Sequence, residues 1–386
     1  MRNIINALAI AFLVFIFTFY VDGEMGVILI AFLLAAPLFS LFFALYSRKR
    51  VHVSFDCDAY VKKGTELTVN VKVEKEGKFP LSFIEIKFAA SPGFRQNDKT
   101  YRLSILTESE TEFTISFPAE IGGNAEISVE SVYACGFLGF MKFRAKTPLP
   151  EPKGIGIIPD IPEITASSQL FRSIADSVLT SDNDEDNDTV MLFAANTFPG
   201  YEHREYVQGD PIKRINWKLS SKKSKLMVRL DEAASAVQPC LVLDLFRSSS
   251  AETLSSLKKE EKLLQAVFGL ITLLINQGIA CTFVYRNYNG DIVTENVDNP
   301  DYPMQLLLKV LSVKSVPEQR VDISLIDGSC CTYIIATTDL SGSFAQIEGA
   351  LPDKENSCVM IPDVSCHSGT NLQAWYLTED NNFKLV

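Results

Sequence analysis

Two long apolar runs open the chain. Ile4 to Tyr20 and Val27 to Tyr46 are almost uninterrupted apolar sequence of 17 and 20 residues, close to the roughly 20 that a helix needs to cross a bilayer. Only Val21-Asp22-Gly23-Glu24-Met25-Gly26, a polar turn, separates them. The pattern predicts a two-helix transmembrane hairpin over residues 1–47, with residues 4–46 in contact with the lipid bilayer. A signal peptide would account for the first run alone, and no small-x-small cleavage pattern follows it. Arg2 precedes the first run and Arg48-Lys49-Arg50 follows the second, whereas the turn carries Asp22 and Glu24. Positive flanks stay cytoplasmic, so a two-span protein of the cytoplasmic membrane is expected, with both termini in the cytosol.

The pattern then changes to period two. Leu67–Val73, Phe83–Phe88, Glu112–Phe117 and Ala125–Glu130 alternate apolar with polar, punctuated by Gly64, Gly77, Gly93 and Gly122-Gly123. Short alternating strands at this spacing predict an all-β sandwich of immunoglobulin or fibronectin type over residues 48–150. Residues 151–197 read as a connector: five prolines between Pro148 and Pro162, a short amphipathic helix from Phe171 to Thr180, then the acidic run Ser181–Asp188. Asp182, Asp184 and Asp186 alternate as in an EF-hand, but the sixth loop position is Asn187 and the twelfth Phe193. That pattern lacks the Gly and Glu of a calcium loop, and a solvated loop is the reading adopted. Beyond residue 233, buried strands at Pro239–Asp244, Ile279–Tyr285, Thr332–Thr337, Cys358–Ile361 and Ala374–Leu377 alternate with helices at Glu260–Gln277 and Tyr302–Val313. This order predicts an α/β domain with a mostly parallel sheet. The chain is therefore multidomain.

Between these domains, residues 198–232 hold the densest run of special positions, Arg204-Glu205-Tyr206-Val207-Gln208-Gly209-Asp210-Pro211-Ile212-Lys213-Arg214-Ile215-Asn216-Trp217. Asp210 fits an N-cap with Pro211 at the first helical position, and Ile212, Ile215 and Leu219 form the stripe of a short helix. Arg-Glu-Tyr, Gly-Asp, a cation, Ile and Trp at this spacing resemble the signature of the family called domain of unknown function 58. Ser220-Ser221-Lys222 stands where that family has Ser-Ala-Arg, and Leu226 and Val228 fall on its next strand. Lys213 replaces the family's usual Arg and loses a bidentate fork. Near Val132–Gly139, Ala134-Cys135 stands where the family has Asp-Pro before its Phe-Gly-Leu turn. The resemblance implies a bacterial membrane protein, a von Willebrand factor A-like fold for residues 233–386, and partnership with a MoxR-type AAA+ ATPase.

Charge adds a second theme. Seven cations, Lys213, Arg214, Lys218, Lys222, Lys223, Lys225 and Arg229, fall between Gln208 and Arg229 against Asp210 alone, in a chain of formal net charge −11. An anionic lipid, an acidic protein partner, or a solvated face answered by Asp231 and Glu232 would each suit this run. Nucleic acid suits it least, since no recognisable binding fold accompanies the patch and the rest of the chain is acidic. The partner-binding surface expected here comprises Arg204, Tyr206, Gly209, Asp210, Lys213, Arg214, Trp217, Lys218 and Lys222, with Trp217 read as the core anchor of the short helix.

Von Willebrand A-like domains often hold a divalent cation through Asp-x-Ser-x-Ser after the first strand. This chain reads Asp244-Leu245-Phe246-Arg247-Ser248. Asp244, Ser248 and the distant Asp339 make a degenerate magnesium site; Phe246 removes one hard oxygen ligand, and Asp244 pairing with Arg247 is the preferred alternative. No cofactor is otherwise implied. The histidines, His52, His203 and His367, lie in dissimilar contexts, and no GxSxG, Walker or HExxH motif occurs, so catalysis is not expected. The eight cysteines show no disulfide spacing and are expected as free thiols. The function expected is a non-catalytic membrane scaffold or adaptor that works with the AAA+ ATPase in assembly or maturation of envelope complexes. A divalent-cation-dependent ligand-binding module is the alternative, and an unrecognised hydrolase a third.

Overall fold

The computed structural model describes residues 2–21, 23–77, 83–96, 98–104, 109–139, 141–181, 197–206, 215, 217–233, 238–247, 253–287, 289–312, 319–323, 330–366 and 369–386. The chain forms two units, one of residues 1–160, 251–261 and 311–314, the other of the remainder.

In the first unit, helices α1 (Arg2–Tyr20) and α2 (Gly23–Ser47) realise the apolar runs. Gly26 lets them approach, since a Cβ there would fall on Thr18. Their large apolar side chains, among them Phe12 and Phe19 on α1 and Phe32, Leu34 and Phe42 on α2, are exposed. A helix apolar on all sides calls for an apolar surrounding. Among the described residues one helix, Gly23–Ser47, is long and apolar enough to cross a membrane, and Leu8–Tyr20 is a shorter apolar stretch.

The chain enters β structure immediately after α2. Strand β1 (Val51–Cys57) pairs antiparallel with β3 (Glu66–Lys75), and β3 with β6 (Glu110–Pro118). A second sheet runs β2 (Tyr60–Lys62), β9 (Lys153–Ile158), β7 (Gly123–Cys135), β4 (Phe83–Ala90) and β5 (Asp98–Leu103), with β8 (Lys142–Arg144) on β7. Strand β3 shows why the sheets stack: Leu67, Val69, Val71 and Val73 are buried, while Glu66, Thr68 and Asn70 face solvent. Phe55 and Phe88 meet edge to face across the core at 6.2 Å, a preferred aromatic geometry. The turn read at Val132–Gly139 starts later than expected, because Val132, Ala134 and Cys135 are buried and continue β7. Two backbone bonds fasten the exit of α2 to the sandwich: Lys146 N–H to the Arg48 carbonyl (2.7 Å) and Glu76 N–H to the Arg50 carbonyl (3.0 Å).

Glu85 on β4 is 8% exposed and accepts hydrogen bonds from Lys142 Nζ (2.6 and 2.8 Å) and Arg102 Nε (2.5 Å). Burial pushes its carboxyl up, but the two cations outweigh that and hold it below the ordinary range. A depressed carboxylate contributes stability that is present above its unfolded pKa, about 4.3. That contribution is lost as pH falls through the lower folded value. Acid titration of Glu85→Gln should therefore show a sandwich less stable at neutral pH and with a shallower loss below about pH 4; an unchanged acid limb would refute this role.

The second unit centres on a seven-stranded sheet. In order its strands are β14 (Ile292–Val297), β13 (Cys281–Arg286), β12 (Gln238–Asp244), β15 (Cys330–Thr337), β16 (Cys358–Ile361), β17 (Gln373–Leu377) and β18 (Phe383–Leu385). The inner pairings from β13 to β17 are parallel, and β14 and β18 are antiparallel edges. From Pro239 to Asp244, β12 is buried at every position, as expected for a strand covered on both faces. Helix α7 (Phe344–Ala350) shares a core with β12, while α5 (Leu254–Asn276) meets β13 through Phe268 and Phe283, and α6 (Tyr302–Leu311) meets β14 through Lys309 and Glu295. Helix α3 (Gln169–Ser181) forms where the connector helix was expected; the acidic run Asp182–Asp188 lies outside the described residues. Cys57, Cys135, Cys240, Cys281, Cys330, Cys358 and Cys366 are free.

Candidate functional site

The signature segment forms a hairpin with a helix inserted in it. Strand β10 (Thr197–Glu205) pairs antiparallel with β11 (Met227–Ala233), placing Arg204 opposite Val228. Tyr206 N–H donates to the Leu226 carbonyl at 2.8 Å, and Tyr206 is half-buried. Gly209, Asp210, Lys213 and Arg214 lie outside the described residues, and so does the expected helix start at Asp210. Ile215 does not continue a helical stripe; it forms an isolated bridge with Val228 and is buried. Helix α4 (Trp217–Lys223) follows, and the buried Ser220 accepts from Met227 N–H through its Oγ at 2.8 Å. This seats α4 on the start of β11.

Trp217 is the main correction. It stands 63% exposed at the head of α4, not in the core, because its neighbour Ile215 takes the buried place by pairing with β11. Lys218, Lys222, Lys223 and Lys225, on the same helix and just beyond it, are exposed as well. The aromatic and the cations are thus all open to solvent.

The second cluster lies at the carboxyl ends of β12 and β15. In the parallel run the second strand in chain order, β13, lies to one side of β12 and the third, β15, to the other. The connections therefore reverse between β12 and β15, the switch point at which open α/β sheets take ligands. Asp244 ends β12 and is 1% exposed. Its carboxylate accepts from Arg320 Nη1 (2.8 Å), Thr337 Oγ1 (3.2 Å) and Val321 N–H (3.1 Å). Arg320 also donates through Nη2 to the Asp339 carbonyl (2.8 Å) and through Nε to Ser343 Oγ (2.6 Å), and its guanidinium lies 4.0 Å from the centroid of the Phe246 ring. Burial pushes the Asp244 carboxyl above its ordinary range, against the opposing pull of Arg320, Val321 and Thr337.

Asp244 ends β12 and Asp339 follows β15, while Ser248 lies outside the described residues. Their engagement differs from that of metal ligands. The Asp339 carboxylate accepts from the Ser341 N–H (2.8 Å) and hydroxyl (3.1 Å), and only its backbone carbonyl faces Arg320. Among the described residues no cluster of three or more His, Cys, Asp or Glu is placed to hold an ion. These donors do not fit a magnesium site: a guanidinium already satisfies Asp244. Arg320 escaped the sequence reading because its partner is 76 positions away and nothing local marks it.

The geometry defines a class: an apolar helical pair leading into a β-sandwich, with a separate α/β unit carrying a cationic hairpin. Residues 202–285 match the family described as protein of unknown function DUF58, so the signature and the first two parallel strands carry the match. No curated protein matches the chain. Among solved structures it is similar to the CARDB domain of a Pyrococcus furiosus protein crystallised with di-metal ions, at 10% identity, covering 28% of this chain and 94% of that one, with TM-score 0.23. The cohesin module of a Clostridium perfringens family 33 glycoside hydrolase gives 10% identity, 29% and 99% coverage, and TM-score 0.23. Escherichia coli alpha-2-macroglobulin, from domain MG7 to the C-terminus, gives 14% identity, 30% and 18% coverage, and TM-score 0.24. At such scores these likenesses carry no functional argument.

Proposed function

We propose that the chain is a non-catalytic membrane adaptor whose signature hairpin docks a cytosolic protein, a MoxR-type AAA+ ATPase, during assembly or maturation of envelope complexes. One observation carries the reading: Trp217 is exposed, and so are Lys218, Lys222, Lys223 and Lys225, close to it in sequence. Tryptophan is enriched in binding hot spots, and an acidic protein surface complements the lysines and would be steered to them. The α/β unit belongs to the von Willebrand A-like type in this reading, and α1 and α2 cross the membrane as a hairpin with both termini cytoplasmic. The apolar, exposed character of both helices supports the hairpin, and a reporter fused after Val386 tests it, since periplasmic activity would overturn it.

Docking is tested by measuring binding of the purified ATPase to the full chain in nanodiscs. Trp217→Ala and Lys218→Glu/Lys222→Glu are each expected to weaken it by about 2 kcal/mol or more, roughly 30-fold. Unchanged affinity in both folded variants would remove the hairpin as docking surface. A second reading, ligand binding at the carboxyl ends of β12 and β15, draws support from the switch-point position of Asp244 and Thr337. Calorimetric titration with magnesium and manganese tests it, and no heat at millimolar ion would end its cation-dependent form.

A further inference from the structure

We infer that the tip of the β7–β8 hairpin, Phe137, Leu138 and Met141 together with the neighbouring Phe83, is a lipid-inserting element that seats the sandwich in the bilayer surface beside α2. This inference rests on reading α2 as a membrane span. The tip turns back through Gly139 N–H to the Gly136 carbonyl (2.8 Å). It lies against α2: Leu138 N–H donates to Ser40 Oγ at 3.3 Å, and the Phe137 ring is 5.3 Å from Phe43 and 6.3 Å from Phe83. A Cβ at Gly136 would overlap Ser40 Oγ, so the contact is close.

Four large apolar side chains of a soluble sandwich have no reason to stand exposed together, yet Phe83, Phe137, Leu138 and Met141 do. At the same level of α2, Leu38, Phe39 and Phe42 also stand exposed. Depth follows from helix geometry. Ser40 precedes Ser47 by seven residues, so the tip lies about 10 Å further along α2 than the helix end, at roughly 1.5 Å per residue. Arg48, Lys49 and Arg50 come next, and such cations settle at the headgroups. The tip then reaches the upper acyl chains, the depth of other interfacial elements. The polarity also changes where it should: one residue beyond Met141, Lys142 pairs with Glu85, and Arg102 joins them, forming a charged rim above the apolar tip.

The test uses the full chain in phosphatidylcholine nanodiscs brominated near the glycerol end or near the chain terminus. Leu138→Trp and, as a span control, Leu34→Trp are each compared with the parent, whose two native tryptophans set the baseline. The expected result is that the signal added by Leu138→Trp loses most of its emission to shallow bromines and little to deep ones, while the signal added by Leu34→Trp is quenched as well. Quenching in Leu34→Trp with none in Leu138→Trp would overturn the insertion and leave the span standing. Absence of quenching in both would overturn the span and the insertion together.

Discussion

An Arg320→Ala chain is expected to lose about 3–5 kcal/mol of stability in its α/β unit, because removing one partner of a buried ion pair strands the other charge. Asp244 is 1% exposed and would keep only the Val321 N–H and the Thr337 hydroxyl. The loss should depend on pH, with a sign that follows from the shift. Burial already raises the Asp244 carboxyl. A raised acid favours the folded state most below its unfolded pKa, about 3.9, and that favour is lost as pH rises through the folded value. Removing Arg320 raises the folded value further, so the deficit should be small near pH 4 and full well above it. Urea unfolding, followed by the buried Trp375 of β17 in a Trp217→Phe background, reads the change. Asp244→Asn combined with Arg320→Met should recover most of it, since replacing both members of a buried pair is often neutral. A loss below about 1 kcal/mol that ignores pH would show that the pair does not hold the strand ends together.

Phe268→Ala is expected to cost a comparable 3–5 kcal/mol, the range for truncating a buried aromatic. Phe268 on α5 is 1% exposed and its ring lies 5.7 Å from Phe283 on β13. It also borders a groove of about 530 Å³ lined by Gly269, Leu273, Met304 and Leu307. Truncation would extend that groove toward the sheet, which cannot close the gap because β13 is fixed by pairing on both sides. Phe268→Leu should recover about half of the loss by restoring part of the volume. The same urea titration checks it, and an unaltered midpoint for the alanine chain would mean that α5 does not clamp the sheet there.

The parts of the fold legible in the sequence were those whose burial is regular, either unbroken or alternating. Cys358–Ile361 reads as a strand and is one to the residue, because all four positions are buried. Leu67–Val73 is equally plain, since one face alone is covered. Edge strands gave no such signal: β14, Ile292–Val297, is mostly half-exposed or exposed, and β18 has three residues of which only Phe383 is buried. At the site, the sequence placed Asp244 at a strand end but gave no sign of Arg320, because an ion pair between residues 76 positions apart leaves no periodic trace. Trp217 misled for the opposite reason. Its apolar neighbours Ile215 and Leu219 look helical by spacing, but backbone pairing with Val228 takes Ile215 out of the helix.

The two bonds between the α2 exit and the sandwich have a mechanical consequence. Helix α2 ends at Ser47 and strand β1 begins at Val51, so only Arg48, Lys49 and Arg50 lie between helix and sandwich. The Lys146–Arg48 and Glu76–Arg50 bonds brace the joint from both sides. A pull on the sandwich therefore reaches α2 undamped, as a lever arm rather than a leash.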